Sequence, residues 1–359
     1  MNIAYFSPIP FNFLMQRPQY LAIELSKQHN VYFIEPTDSA ARWILGRGNS
    51  PRYSIQDYSE ALRIVKLNGL FAAPWIINPY DITGISTMWE RSQFKKFIPE
   101  IDIVWVGHCG WYPLVKNLKY KHLVYDKMDD NALLARNSVR SRQLAKSDCK
   151  LLLESDCVFT TAKKFYDDTL LVNKNVYLVP NAVNSNFSSS VCTEKYGHKR
   201  VFGYVGMIDN WFDTQAICTI VEASEDHEVV LVGPNNIPEI KHERVKYLGR
   251  VSKDEVSEMI NSFDVCLYPF KAGPLLDTIN PVKIYEYLAA NKPVIAIENK
   301  EISVFGSLIY LYRSYSELTQ ICKQSIPSPF QTETERLAFI GGNNWEHRGE
   351  QTLSILELL

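Results

Sequence analysis

Short runs of β-branched and aromatic residues alternate with helix-forming stretches along most of this 359-residue chain, and the alternation begins again in its second half. Such alternation is the sequence form of βα units and a parallel sheet. In the first half it predicts strands at Asn2–Ser7, Asn30–Glu35, Ile101–Val106, His122–Tyr125, Cys157–Thr160 and Val176–Val179, with helices from Arg17 to Gln28 and from Asp129 to Ser147. After the turn-rich Pro180-Asn181-Ala182-Val183 and a serine-rich stretch at 185–190 that suits a linker, strands follow at Val201–Val205, Glu228–Val232, Val245–Tyr247, Val265–Tyr268 and Pro293–Ile297. The length exceeds the size at which a single hydrophobic core keeps growing. The expected fold is therefore α/β, with two doubly wound Rossmann-like domains at 1–182 and 183–340. A closing amphipathic segment, 341–359, offers Trp345, Leu353, Leu356 and Leu359 for burial. Ligands are expected where strand C-termini open into a cleft between the halves.

With 46% hydrophobic and 22% charged residues the chain reads as globular. Its seven cysteines, at 109, 149, 157, 192, 218, 266 and 322, form no C-x-x-C pair, which fits a reducing cytoplasm and not a zinc site. No stretch approaches the roughly 20 apolar residues of a spanning helix, and Met1-Asn2-Ile3-Ala4-Tyr5-Phe6 reads as a buried strand, not a signal peptide. The net charge of −2 hides an asymmetry: residues 1–182 carry 22 Lys and Arg against 17 Asp and Glu, and residues 183–359 carry 16 against 23. Basic residues gather at Arg91, Lys95 and Lys96, at Lys116, Lys119 and Lys121, and at Arg136, Arg140, Arg142 and Lys146, near the apolar segments Phe11–Met15 and Phe71–Ile77. One reading is attraction to a phosphate-bearing acceptor or to the anionic inner face of the cytoplasmic membrane. The other is solvated helix faces and loops. Nucleic acid is disfavoured, since the clusters are dispersed and no recognition module accompanies them.

The most informative stretch runs Thr278-Ile279-Asn280-Pro281-Val282-Lys283-Ile284-Tyr285-Glu286-Tyr287-Leu288-Ala289-Ala290-Asn291-Lys292-Pro293-Val294-Ile295. Pro281 suits the first turn of a helix, Asn280 the N-cap before it and Asn291 the left-handed position after it. A helix N-terminus offers free N–H groups and a positive dipole end to phosphate. Lys283 adds a full charge one turn in, and Glu286, on nearly the same face, is placed to accept both hydroxyl hydrogens of a ribose. Together these groups match a nucleoside diphosphate. The plainer reading is an i,i+3 ion pair across an exposed helix face.

This stretch resembles the donor-binding segment of GT-B-fold glycosyltransferases, above all family 4 and its relatives, where K-x-x-E-Y-L-A-x-G-K-P-V recurs with the glutamate on the donor ribose. Val179-Pro180-Asn181-Ala182-Val183 is similar to the V-P-N-G-V hinge, and Phe202-Gly203-Tyr204-Val205-Gly206 to the first strand and glycine turn of the donor domain. Leu231-Val232-Gly233-Pro234 and Tyr247-Leu248-Gly249-Arg250 resemble the two following strand ends. The opening Ser7-Pro8, the run Gln16-Arg17-Pro18-Gln19-Tyr20-Leu21-Ala22 and Tyr125-Asp126-Lys127-Met128-Asp129-Asp130 resemble bacterial polysaccharide glycosyltransferases of teichuronic acid and exopolysaccharide type. The resemblance implies GT-B architecture: an N-terminal acceptor domain, a C-terminal nucleotide-sugar domain, and a final helix from about Trp345 that returns to the N-terminal domain. It implies Gly206, Tyr268, Thr278, Asn280, Lys283 and Glu286 as donor contacts, and Arg17 and Asp129 toward the acceptor. The implied reaction moves a sugar from a UDP-sugar to a saccharide or lipid-linked oligosaccharide in bacterial surface polysaccharide synthesis.

The chain departs from that pattern in two places: Gly206 is kept, but the basic residue usual some positions after it is not evident in Met207-Ile208-Asp209-Asn210-Trp211-Phe212-Asp213, and a glutamate is missing. Retaining family members carry two glutamates seven residues apart, and the first falls on Thr278. An inverting enzyme needs a base for the acceptor hydroxyl, and Asp126, at the end of a predicted strand, is the first candidate. Asp129 and Asp130 stand behind it, with helix capping and dipole pairing as their plainer roles. A retaining enzyme needs no such base, because the departing phosphate takes the proton. His108, in Gly107-His108-Cys109-Gly110-Trp111, is a second catalytic candidate or a structural loop histidine, and Arg17 holds an acceptor phosphate or carboxylate or simply an exposed carboxylate partner. No D-x-D loop calls for a metal, and no cofactor is expected beyond the co-substrate. Two rivals stand beside transfer: a sugar-nucleotide 2-epimerase on the same scaffold, and a degenerate nucleotide-sugar-binding subunit, which Thr278 keeps open. A nicotinamide dehydrogenase is disfavoured because the first strand runs into Pro8-Ile9-Pro10-Phe11, not a glycine-rich turn.

Overall fold

A computed structural model describes residues 1–12, 15–36, 53–67, 85–97, 100–135, 138–185 and 199–359. Phe13, Leu14, Phe71–Ile77, Arg136, residues 186–190 and the side chains of Lys95 and Lys96 lie outside the described residues. The chain divides into two units, Met1–Pro180 with Arg348–Leu359, and Asn181–His347.

The first unit contains strands β1 (Asn2–Phe6), β2 (Asn30–Glu35), β3 (Ser54–Asp57), β4 (Leu62–Lys66), β5 (Ile103–Val106), β6 (His122–Lys127), β7 (Cys157–Thr160) and β8 (Val176–Leu178). They form one sheet in the order β3-β4-β2-β1-β5-β6-β7-β8, parallel except where β3 runs antiparallel to β4. Its helices are α1 (Arg17–Ser26), α2 (Ile85–Phe97), α3 (Tyr112–Val115), α4 (Ser138–Glu154) and α5 (Lys163–Leu170). The central strands are covered on both faces, which is why they read as unbroken apolar runs. One face packs Phe94, Leu114, Val115, Leu144 and Leu151 from α2, α3 and α4. The other packs Leu21 and Leu25 of α1 together with Leu353 and Leu356. There Phe33, Tyr5 and Trp105 stack across β2, β1 and β5 at 5.6 and 5.4 Å, and Phe159 of β7 continues the ladder at 5.1 Å.

Two sequence expectations need correction here. β3 and β4 are absent from the predicted set; β3 is exposed along its whole length and shows no period against a buried face, whereas β4 buries Leu62, Ile64 and Val65 and is simply missing from that reading. The predicted helix from Asp129 begins only at Ser138. Ahead of it the Asp130 carboxylate accepts from the amides of Ala132 at 3.1 Å and Leu133 at 2.9 Å, a local side-chain cap that holds the backbone in a turn.

The second unit contains β9 (Arg200–Val205), β10 (His227–Val232), β11 (Val245–Gly249), β12 (Val265–Tyr268), β13 (Val294–Ile297) and β14 (Tyr310–Tyr312). These strands pair in parallel in the order β11-β10-β9-β12-β13-β14. β14 too is absent from the predicted set. Helices α6 (Thr214–Glu222), α7 (Lys253–Ser262), α8 (Val282–Ala289), α9 (Tyr315–Lys323) and α10 (Glu333–Gly342) follow, then α11 (Trp345–Leu356).

The chain passes between units within α11, at His347–Arg348. Leu353 and Leu356 are buried in the first unit's core, whereas Leu359, expected to be buried, is 36% exposed. Gly349 lets α11 approach α1: a Cβ there would stand 2.5 Å from Cβ of Glu24. Alanine normally stabilises a helix over glycine by about 1 kcal/mol. Gly349→Ala is expected to lower the urea midpoint instead, while Gly341→Ala in α10, whose Cβ would meet nothing within 4 Å, leaves it unchanged or raises it.

Candidate functional site

In the second unit the chain winds from β9 out to β10 and β11, then returns past β9 to β12, β13 and β14. Where strand order reverses, adjacent crossovers leave on opposite sides and a crevice opens at the strand C-termini. The pairing records the opening. β9 pairs with β10 from Arg200↔His227 to Val205↔Val232, but with β12 only at Val265↔Phe202 and Cys266↔Gly203.

The loop leaving β9 is held tightly. Gly206 N donates to Val232 O at 2.9 Å, and the Tyr204 hydroxyl donates to Met207 O at 3.0 Å. Gly233 has φ 135°, and a Cβ there would lie 2.0 Å from Gly206 O. Only glycine tolerates both that dihedral and that approach.

The helix α8 follows β12. Its N-cap is Pro281, with no side-chain capping bond. Asn280, expected at the cap, lies one residue earlier and does something else: its Oδ1 accepts from Asn181 N at 2.8 Å and its backbone oxygen accepts from Asn181 Nδ2 at 3.0 Å. That pair ties the chain entering this unit to the start of α8. The first N–H groups of α8 are left without a side-chain cap, as an anion site requires. Lys283 Nζ and Glu286 Oε2 are 2.7 Å apart, with side chains 28% and 21% exposed. The ion pair allowed by the sequence is therefore present. A pair this open to water is worth only about 0–1 kcal/mol, so a ligand displaces it at little cost. At the other end Asn291 adopts φ 56° as expected, and Arg336 Nη1 donates to Ala289 O at 2.6 Å.

Two expected donor contacts face inward instead. Tyr268 is buried and stacked on Phe270 at 4.2 Å, and Thr278 is buried with its hydroxyl donating to Leu275 O at 2.7 Å. Both side chains complete the unit's own packing. Sequence reasoning passed over Asn181 and Tyr287. The Tyr287 hydroxyl accepts from Val205 N at 3.0 Å, yet in the sequence Tyr287 is only one more large residue on the buried face of an amphipathic helix.

In the first unit the structure reassigns Arg17 and Asp126. Asp126 is fully buried; both its oxygens accept from Arg17 Nε at 3.0 Å, and Oδ1 accepts from Nη2 at 2.8 Å. Arg17 Nη1 donates to Val179 O at 2.8 Å and to Pro180 O at 3.2 Å. A carboxylate held this way cannot take a substrate proton without leaving a buried guanidinium unpaired, and the guanidinium is not free for an acceptor anion. His108 is partly buried, and its Nδ1 accepts from Gly110 N at 2.9 Å, which places the proton on Nε2. Desolvation, followed by the charge of Arg140, pushes its pKa down to about 4. The ring is neutral at physiological pH, and with Nδ1 already accepting from Gly110 N and protonation disfavoured it is a poor base. Asp129 is exposed, and among the described residues it caps no helix. Among the described residues no three His, Cys, Asp or Glu side chains gather as a metal site.

Residues 199–307 match the family model of the glycosyl transferases group 1. The putative teichuronic acid biosynthesis glycosyltransferase TuaH of Bacillus subtilis (strain 168) is 25% identical over 218 residues, 52% of this chain and 54% of that protein. The chain thus spans about half the length of the curated relative it matches. HepE of Anabaena, solved with UDP and glucose, aligns with a TM-score of 0.65 at 13% identity over 100% of both chains. The E. coli trehalose-6-phosphate structure bound with UDP-2-fluoro glucose aligns with a TM-score of 0.67 at 10% identity, covering 100% of this chain and 99% of that one. The fold is accordingly the α/β GT-B fold, two parallel-sheet domains in one chain.

Asp126→Asn is expected to lower the first unit's stability by about 3–5 kcal/mol in urea unfolding, the cost of breaking a buried pair. Wild-type stability in that variant would return Asp126 to the candidate bases.

Proposed function

We propose that the chain is a glycosyltransferase that binds a UDP-sugar at the start of α8 and places its sugar on a saccharide acceptor. The observation that carries this reading is the start of α8, uncapped by any side chain, with Lys283 and Glu286 joined through a weak, partly open ion pair. A diphosphate replaces Glu286 as the partner of Lys283 and meets the helix dipole, and the ribose hydroxyls take the released carboxylate. The family match spans Gly206, Asn280, Lys283 and Glu286, and the UDP and UDP-2-fluoro glucose in the structural neighbours support uracil as the base.

In the reaction the bond from the anomeric carbon to the diphosphate oxygen breaks, and the acceptor oxygen bonds to that carbon. Lys283 and the helix N-terminus stabilise the charge growing on the leaving group. Asp126 is locked to Arg17 and the Nδ1 lone pair of His108 is engaged by Gly110 N, so the departing phosphate takes the acceptor proton and configuration is retained. Inverted product, read by proton NMR of the new linkage, would favour a carboxylate base such as Asp129. The likeness to a teichuronic acid protein supports a bacterial surface polysaccharide, or its lipid-linked precursor, as acceptor.

A membrane-facing surface fits that acceptor. Among the described residues no helix is long and apolar enough to cross a membrane, but α4 exposes Val139, Arg142, Lys146, Lys150 and Leu153 at helical spacing along its outer face. Cationic and apolar groups on one such face suit an anionic lipid surface. Wild-type protein is expected to sediment with phosphatidylglycerol vesicles and not with phosphatidylcholine, and Arg142→Glu with Lys146→Glu to abolish it; indifference to lipid charge would remove this part of the reading.

Donor consumption that requires acceptor separates transfer from epimerisation, which proceeds on the donor alone. Glu286→Gln is expected to weaken UDP binding about ten-fold, since a charge-assisted hydrogen bond is worth roughly 1.5–3 kcal/mol. The same variant should bind inorganic pyrophosphate as well as or better than wild type, because Lys283 is freed. Equal losses for both ligands in calorimetric titration would count against the assigned roles.

A further inference from the structure

The donor reading requires α8 to stand in one place relative to the Gly206 turn, and, resting on that reading, we infer that Tyr287 is the positioning residue that sets it there. Amides two apart along a strand face the same side, so Val201, Gly203 and Val205 all address β12. Val201 N donates to the Asp264 carboxylate at 2.7 Å, and Gly203 lies within the short β9–β12 pairing. Beyond that point β12 has diverged, and the amide of Val205 would face a gap. A buried amide without an acceptor costs about 1–3 kcal/mol. The Tyr287 hydroxyl fills that need at 3.0 Å.

Tyr287 is fully buried, and burial holds its phenol well above the ordinary range, so it stays protonated at any physiological pH. It follows Glu286 directly, and Lys283 stands one turn ahead on the same face. Val205 in turn is followed directly by the braced Gly206. One hydrogen bond therefore links the two parts of the site, the strand-end turn and the helix carrying the charged pair. A diphosphate that touches both parts senses their separation. A nucleoside that touches only the ribose carboxylate does not.

Tyr287→Phe keeps the ring and deletes the bond. The control is Tyr312→Phe in the same unit, since the buried Tyr312 hydroxyl takes no hydrogen-bond partner among the described residues. UDP and uridine are titrated calorimetrically into both variants and the wild type, with urea unfolding measured alongside. Tyr287→Phe is expected to bind UDP about ten-fold more weakly and uridine within about two-fold of wild type, one lost hydrogen bond acting through geometry, while Tyr312→Phe matches wild type for both. UDP affinity unchanged in Tyr287→Phe overturns the inference, and so do equal losses for UDP and uridine, which a merely loosened unit produces. Wild-type protein that binds neither ligand removes the donor reading, and this inference with it. If Tyr287→Phe does not fold, 3-fluorotyrosine at position 287, a weaker acceptor of the same shape, is judged by the same split between UDP and uridine.

Discussion

The parting of two parallel strands governs the candidate donor site. β9 and β12 pair over two residues and then separate, which admits α8 beside the strand end, while on the β10 side the Gly206 and Gly233 turns touch. A helix of eight residues has too few internal bonds to persist alone in water. This one is held by the Asn280–Asn181 amide pair at its start, Tyr287 along its length and Arg336 at its end. The same bracing that makes α8 stable leaves its first amides unclaimed by side chains.

The first unit solves a different problem with a buried charge pair. Arg17 opens α1, Asp126 ends in the core from β6, and the guanidinium spends its remaining donors on the carbonyls of Val179 and Pro180, where the chain leaves the unit. Desolvating both charges offsets most of their attraction, so the bond contributes little net stability compared with the aromatic ladder on the same face. Its geometric demand is nonetheless severe. Five N–H donors in one plane accept few alternative placements of α1, β6 and the chain exit.

Chain order and unit membership separate at the C-terminus. Arg348–Leu359 complete the first unit's core although the whole second unit precedes them. A glycine in the middle of α11 permits the close seat on α1, against its own helix propensity. The amphipathic pattern of 341–359 shows which residues seek burial, but nothing in that pattern identifies the surface that buries them; that came only from the resemblance.

The parallel strands, their alternation with helices and the two-part organisation were written in local patterning, because strands buried on both faces must be short apolar runs whatever their partners. The Lys283–Glu286 pair, the left-handed Asn291 and the glycine turns were legible for the same reason: each depends on neighbours within a few residues. The partners of Asp126, Arg17 and Asn280 were not legible because they lie far off in sequence, whereas Thr278 and Tyr268 turn to neighbours within three residues, Leu275 and Phe270. Asp126 and Arg17 are 109 residues apart, and Asn181 and Asn280 are 99 apart. Sequence by itself determined the two-part alternation of strands and helices and the local form of the segment around α8, since each depends on neighbours close in the chain. Tertiary structure alone decided which polar groups are already used, since a hydrogen bond's worth depends on what else has left water around it.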